Sequence, residues 1–315
     1  MAKHAEDQLI RLRRPKWHLQ AIRIRKRFIY SERPAKANFS GRTLPPVNQR
    51  PPAARLISPR GIALRFYLTL LYEAQMFHRG GGHPINRRPL IAGGAEIGWT
   101  DLITISPITP YSRIPHSIAE RKRRTIVSAL SRLSSEEVQL ISLPRREQSY
   151  AKYEGFQILD EGGVRPDGGA IPYLVPRKSE HHIAIPCSFF ENGWIHALED
   201  SEILFLLMLL SFLQGEAYPP FLRRGRYSPL IKVDNFERLS RFGVGRDTYA
   251  AHETLQMFNL VATESGLGRR PDGTVIKFNG MIGGDSPLHE FRLLLDGFER
   301  PAEEVVIGAL SKLLN

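Results

Sequence analysis

Residues 227–279 read YSPLIKVDNFERLSRFGVGRDTYAAHETLQMFNLVATESGLGRRPDGTVIKFN, and the order of patterns in this stretch decides the fold. Ser228-Pro229-Leu230-Ile231 has the composition of a short strand. Over Val233 to Phe242 the residues Phe236, Leu239 and Phe242 recur at helical spacing. Gly243-Val244-Gly245-Arg246 supplies a tight turn, because glycine enters backbone angles that a Cβ penalises. A second helix is predicted over Asp247 to Phe258, with Thr248, Ala251, Leu255 and Phe258 on one face. Leu260 to Ala262 and Thr274 to Phe278 are predicted to pair as a hairpin around Arg269-Arg270-Pro271-Asp272-Gly273.

Strand, helix, turn, helix and hairpin in that order predict a winged helix-turn-helix, which points to DNA. No enzyme motif in the chain competes with that reading. The expected class is α+β and helix-rich, with two tandem winged-helix domains behind a disordered basic N-terminal arm. The expected boundaries are 1–55 for the arm, 56–180 for the first domain and 181–315 for the second.

Charge gives the arm its part. The net charge is +12. Residues 1–55 hold 14 Lys/Arg against 3 Asp/Glu, and residues 56–134 hold 11 against 4. Residues 135–315 reverse the balance, with 19 against 25. A basic excess confined to the first 134 residues implies a polyanionic partner met mainly there. Pro15, Pro34, Pro45, Pro46, Pro51 and Pro52 interrupt the basic arm and predict little regular structure, apart from a short ordered stretch at His18 to Tyr30. Arg23, Arg25, Lys26 and Arg27 lie there between Trp17, Phe28 and Tyr30, a composition suited to phosphate contacts whose strength falls with salt. The plainer alternative is a solvated tail.

Several function classes are set aside by composition. The longest apolar run, Ile203 to Leu213, is far short of the ~20 residues a membrane span needs and reads as a buried helix. A single cysteine, Cys187, excludes an internal disulfide and fits a reducing cytosol. The N-terminus has no apolar signal core, so a cytoplasmic location is expected. His181, His182 and Cys187 lack the further ligands of a zinc set and read as ordinary strand residues. No cofactor, metal or small-molecule ligand is expected, and no catalytic activity.

Two strong helices are predicted to open two copies of one unit: Ser58 to Phe77, ended by Gly80-Gly81-Gly82, and Glu202 to Leu213. Pro89-Leu90-Ile91 follows the first and Pro229-Leu230-Ile231 the second. Trp99 to Ile105 then corresponds to Phe236 to Phe242, and Ser117 to Leu133 to Asp247 to Phe258. Within Ser112 to Arg132, Arg113, Arg121, Lys122, Arg123, Arg124 and Arg132 face a single acid, Glu120. With Ile118, Ile126, Ala129, Leu130 and Leu133 on the core side, most of these cations are expected to face outward, toward a major groove or a phosphate ridge. A solvated basic face is the alternative. Pro301 to Leu314 carries an apolar stripe that packs on its own domain or forms a homodimer contact.

From Gly243 to Val261 the chain resembles the helix-turn-helix of bacterial winged-helix regulators. Those share a Gly-Val-Ser-Arg-x-Thr turn followed by a Leu-Val pair leading into the wing. Here the residues are Gly243-Val244-Gly245-Arg246-Asp247-Thr248 and Leu260-Val261, with Gly245 in place of serine. The resemblance implies groove contacts by Arg246, Asp247, Tyr249, His252 and Gln256, and wing contacts with phosphate by Arg269, Arg270 and Lys277. Two such units behind a basic arm resemble bacterial plasmid replication initiators, in which one unit binds DNA strongly and the other binds DNA or dimerises. The function this implies is sequence-specific binding of double-stranded DNA, as a replication initiator or a transcription regulator. Residues 181–315 hold 13 basic and 17 acidic side chains, so a second reading stays open. In that reading the winged helices are a protein-interaction scaffold with nonspecific nucleic-acid contact.

Overall fold

The computed structural model describes residues 2–12, 19–33, 43–57, 61–93, 96–105, 117–144, 153–164, 169–213, 229–265 and 289–314. Nine α-helices and seven strands are described among them, an α+β architecture with more helix than strand.

Two buried helices form the centre. α3 (Ala63–Phe77) has a nearly continuous buried surface that includes Phe66, Tyr67, Leu70 and Leu71. α7 (Asp200–Leu210) is buried from Glu202 to Leu210. A helix that is apolar all round has to be enclosed on every side, and here other elements pack around both. α4 (Ile118–Leu133) lies against α3, and α8 (Arg246–Met257) lies against α7. Each outer helix follows a short helical turn, Trp99–Leu102 before α4 and the π-helical Glu237–Arg241 before α8. Each is followed by a strand: β2 (Ile141–Ser142), paired antiparallel with β3 (Gln157–Ile158), and β6 (Val261–Ser265). The order helix, short helical turn, helix and strand therefore occurs twice, but Pro89-Leu90-Ile91, expected to match Pro229-Leu230-Ile231, forms no strand, whereas Ile231 begins β5 (Ile231–Lys232).

β6 pairs antiparallel with β7 (His289–Leu293), which also pairs with β5 (Ile231–Lys232), giving the sheet order β5-β7-β6. Ile231 and Thr263 both lie opposite Phe291, which is fully buried at the middle of this sheet. The expected partner of β6, Thr274 to Phe278, lies outside the described residues. The pairing that is described uses β7, a strand absent from the sequence reading.

The expectation of a largely disordered arm at 1–55 is corrected where that segment is described. α1 (Ala2–Arg11) buries Ala5, Gln8 and Leu9, with Leu12 just beyond it, at helical spacing. It packs against the Trp99 turn and against α5 (Ser188–Glu191). β1 (Ala21–Arg25) pairs antiparallel with β4 (His182–Pro186), setting Ile22 opposite Ile185 and Ile24 opposite Ile183. Phe28 and Ile29 follow, both fully buried, and α2 (Pro52–Leu56) buries Ala53, Ala54 and Leu56. Burying one large aliphatic side chain contributes about 1.5–3 kcal/mol. Alternating isoleucines and a few further apolar residues thus outweigh the local basicity that suggested disorder. One hydrophobic cluster joins these residues to α3, α7 and α8, and extends through α6 (Trp194–Ala197) to Ala302 and Val305 of α9 (Ala302–Leu313).

Candidate nucleic-acid interface

The turn before α8 is set by glycine and locked by one arginine. Asp234 Oδ1 accepts the Glu237 N–H at 2.7 Å and opens the preceding helical segment. Gly243 has φ +65, a left-handed angle that glycine adopts without strain. A Cβ there would stand 2.8 Å from Ala54 Cβ, so α2 closes directly on the turn. Buried Arg238 donates from Nη1 to the Val244 carbonyl at 2.7 Å, and Val244 N–H donates back to the Arg238 carbonyl at 2.9 Å. The same guanidinium lies 4.8 Å from the Tyr249 ring centroid.

On α8, Thr248, Ala251, His252 and Leu255 are buried, and Phe258 beyond its end is buried with them. Arg246, Asp247 and Gln256 are exposed, as outward groove contacts require. His252 is not. Its Nδ1 lies 2.7 Å from the Tyr249 carbonyl and its ring is set among Phe205, His289 and Phe291. Tyr249 is half-buried and edges against Phe205 and Phe291. Both aromatic groups are corrected from groove contacts to packing residues, because they sit on the side of α8 that meets α7. The exposed face carries Arg246 against Asp247 and Glu253, so it is not electropositive.

α4 is better supplied with cations, with one correction. Ser117 Oγ caps its start by accepting the Glu120 N–H at 3.2 Å. Lys122 is buried, and its Nζ donates to the Thr100 carbonyl at 2.9 Å, so it anchors α4 to the Trp99 turn and does not reach outward. Burial of this ammonium lowers its pKa. Arg124 is exposed and pairs with Glu120 at 3.2 Å, and Arg123 lies 3.8 Å from the same carboxylate. Such a surface pair one turn apart is worth only about 0.3–0.5 kcal/mol and yields readily to a phosphate. Arg121 is half-buried. Arg132 pairs with Glu137 at 2.7 Å and donates to the Arg55 carbonyl at 3.0 Å.

The basic strand β1 divides its arginines. Ile22 and Ile24 point into the core, which leaves Arg23 and Arg25 on the other face. Arg23 Nη1 donates to the Pro176 carbonyl at 2.9 Å. Arg25 is drawn inward by carboxylates far along the chain: Nη1 meets Glu161 at 2.5 Å and Nε meets Glu180 at 2.7 Å. Glu161 is fully buried, and burial pushes its carboxyl up while Arg25 holds it down. Arg25 is therefore corrected from a phosphate contact to the partner of a buried acid. Lys26 stands 4.6 Å from the Tyr30 ring centroid, and Arg27 is exposed beside Asp160. Arg113, Arg269, Arg270 and Lys277 lie outside the described residues.

The sequence reading passed over a cleft of about 560 Å³ between Arg27 and the start of α2. It is lined by Arg27, Arg33, Arg50 and Arg55 with Tyr30 and Asn48, and no carboxylate lines it. The available signal was the repetition of arginine at 27, 33, 50 and 55 across a proline-rich segment, which without tertiary contacts does not say that the four converge.

No group of three or more metal-ligating side chains occurs among the described residues, and no helix of the described residues is long and apolar enough to cross a membrane. Set against protein-family models, curated proteins and solved structures, the chain matches none.

Proposed function

We propose that this protein binds double-stranded DNA sequence-specifically, as a replication initiator or transcription regulator, and carries no catalytic activity. The observation that supports this reading is the order of elements around α8. α7, β5, the Glu237–Arg241 turn, α8, β6 and β7 follow one another, with sheet order β5-β7-β6. That is the order of a winged helix-turn-helix, in which the second helix enters the major groove and the strand connection reaches the backbone. Arg246 stands at the exposed start of α8, where the motif places its base-reading residues. Among the described residues α3, the Trp99–Leu102 turn, α4 and the β2–β3 pair follow in a similar order, without a counterpart of β5, and this partial likeness supports a second unit with α4 as its outer helix.

A second reading draws on one specific observation. The exposed face of α8 holds one arginine against two acids, and α9 exposes Ile307, Leu310 and Leu313. These features favour protein contact by the second unit, as a scaffold or a homodimer, with DNA held by the first.

Selection of sites from a random duplex pool with the full chain tests the proposal. A selected site bound ~10³-fold or more tighter than random duplex supports specific recognition. Equal, fully salt-sensitive binding to all sequences refutes it.

A further inference from the structure

Four arginines converge where the two units and the N-terminal segment meet. Arg50 lies just before α2 and Arg55 in its last turn, and both guanidinium groups are anchored by main-chain carbonyls. Arg50 Nε donates to Pro45 O at 2.8 Å. Arg55 donates to Arg50 O at 2.7 Å, Asn48 O at 3.0 Å and Glu137 O at 2.8 Å. Burial lowers the pKa of both groups, which means their charge is partly stripped of water. Glu137 offsets the burial of Arg55, while Arg132 adds to it. For Arg50 burial alone is the cause. A positive charge held half out of water by neutral carbonyls attracts an anion more strongly than a fully solvated one.

The neighbours fix where this cleft lies. A Cβ on Gly243 would meet Arg50 Cβ at 3.3 Å, and one on Gly245 would meet Leu44 Cδ1 at 3.0 Å. Ser31 N–H donates to Arg241 O at 2.9 Å, and the Arg241 guanidinium lies 5.3 Å from the Tyr30 ring centroid. On the other side, Arg132 of α4 reaches Arg55 O. The acids nearby are accounted for: Asp160 pairs with Arg27, Glu137 pairs with Arg132, and Glu237 lies in the field of Lys26 and Arg241. Lys26 and Arg241 both lie against Tyr30, so the ring is taken up by cations and is not a platform for a base. The cleft therefore suits phosphate oxygens and not a nucleobase.

We propose that the cleft formed by Arg27, Arg33, Arg50 and Arg55 is a sequence-independent binding site for the phosphodiester backbone of duplex DNA. It holds one strand at the junction of the two units while α8 reads the groove. The inference rests on the DNA-binding reading, but it places the main electrostatic grip in a built cleft and not in a loose tail.

The test uses the full chain and a fluorescently labelled 20-bp duplex of random sequence, with affinity measured by anisotropy across a salt series. Arg27 and Arg33 are exposed, and Arg33, unlike Arg27, is not the partner of Asp160, so Arg33→Ala is the first variant of choice and the double variant Arg27→Ala/Arg33→Ala the second. Unchanged thermal melting shows that each is folded. Each lost phosphate contact lowers the slope of log K against log salt by about 0.9, so the double variant loses about 1.8 in slope and roughly 60-fold in affinity at 0.1 M salt. Arg33→Ala alone loses about half that slope. Unchanged slope and affinity in both variants overturn the proposal. Saturable binding of ATP that Arg33→Ala abolishes, with duplex binding unaffected, also overturns it and assigns the cleft to a free nucleotide. Arg246→Ala separates this site from the α8 reading. Loss of preference for a selected site with the random-duplex slope retained tests α8 alone, whereas the cleft variants lower binding to every sequence alike.

Discussion

Gly243→Ala tests whether the turn before α8 is held by conformation and close packing together. At φ +65 an L-residue pays about 1–2 kcal/mol relative to glycine. The new methyl would also stand 2.8 Å from Ala54 Cβ, which belongs to a fully buried residue of α2 and has no flexible end to yield. Forcing one carbon into such a site typically costs a further ~1–3 kcal/mol. The expected loss is therefore about 2–5 kcal/mol, read as a lower urea midpoint at unchanged slope. Tryptophan fluorescence is a suitable probe, because Trp194 packs near Phe258 and Phe298, close to the end of α8. Ala54→Gly supplies the control. It removes the opposing methyl at a helix cost of about 0.5–1 kcal/mol, and in combination with Gly243→Ala it should return ~1–2 kcal/mol of coupling. A loss under about 1 kcal/mol for Gly243→Ala, or additive behaviour of the pair, refutes the packing account.

Other outcomes follow from the same contacts. Ile24→Ala should cost about 2–5 kcal/mol in the urea experiment, because the side chain is fully buried; a loss below about 0.5 kcal/mol would return β1 to a loose arm. Lys122→Ala leaves the Thr100 carbonyl without its donor and should cost about 1–3 kcal/mol, whereas Arg124→Ala should stay within about 0.5 kcal/mol and lower the salt slope of DNA binding. The reverse pattern would show that the outward and inward faces of α4 are misassigned. Arg25→Ala strands the buried Glu161 carboxylate and should cost about 3–5 kcal/mol, a penalty that Arg25→Ala/Glu161→Gln relieves if the buried charge is the cause.

His196 adds a pH dependence of defined sign. Its Nε2 is shut off from solvent although the residue as a whole is half-buried, and burial lowers its pKa from 6.5 to about 3. The unfolded chain therefore takes up this proton first. Stability from this site is intact above pH 6.5 and falls as the pH drops toward 3, by up to about 5 kcal/mol. Urea midpoints measured between pH 7 and pH 4 should fall more steeply for the parent chain than for His196→Gln, and equal slopes would count against the burial argument.

Local pattern carried much of the secondary structure. Residues 63–77, 118–133, 200–210 and 246–257 are helices because their apolar spacing is local, and caps at Ser117 and Glu199 stand directly before the second and third. The Gly243 turn was legible for the same reason, since a positive φ is a property of one residue. The candidate interface was legible only in part. Arg246, Gln256 and Arg124 face outward as expected, yet Lys122, His252 and Arg25 do not. Each of those three occupies a position that spacing alone leaves ambiguous, at the margin between a buried stripe and an exposed face.

What the amino-acid sequence determined by itself is the long helices α3, α4, α7, α8 and α9, the glycine turn and the skew of charge, all of which follow from short-range backbone preference or simple summation. Tertiary structure decided the rest. β1 finds β4, Arg25 finds Glu161 and Arg132 finds Arg55 across 77 or more residues of chain, so none of these pairings has a local signature. The basic N-terminal segment, which composition alone describes as a largely disordered arm, thereby becomes a strand of the core and one wall of an arginine cleft. Whether a charge meets solvent, a carboxylate or a carbonyl depends on what the fold brings to it.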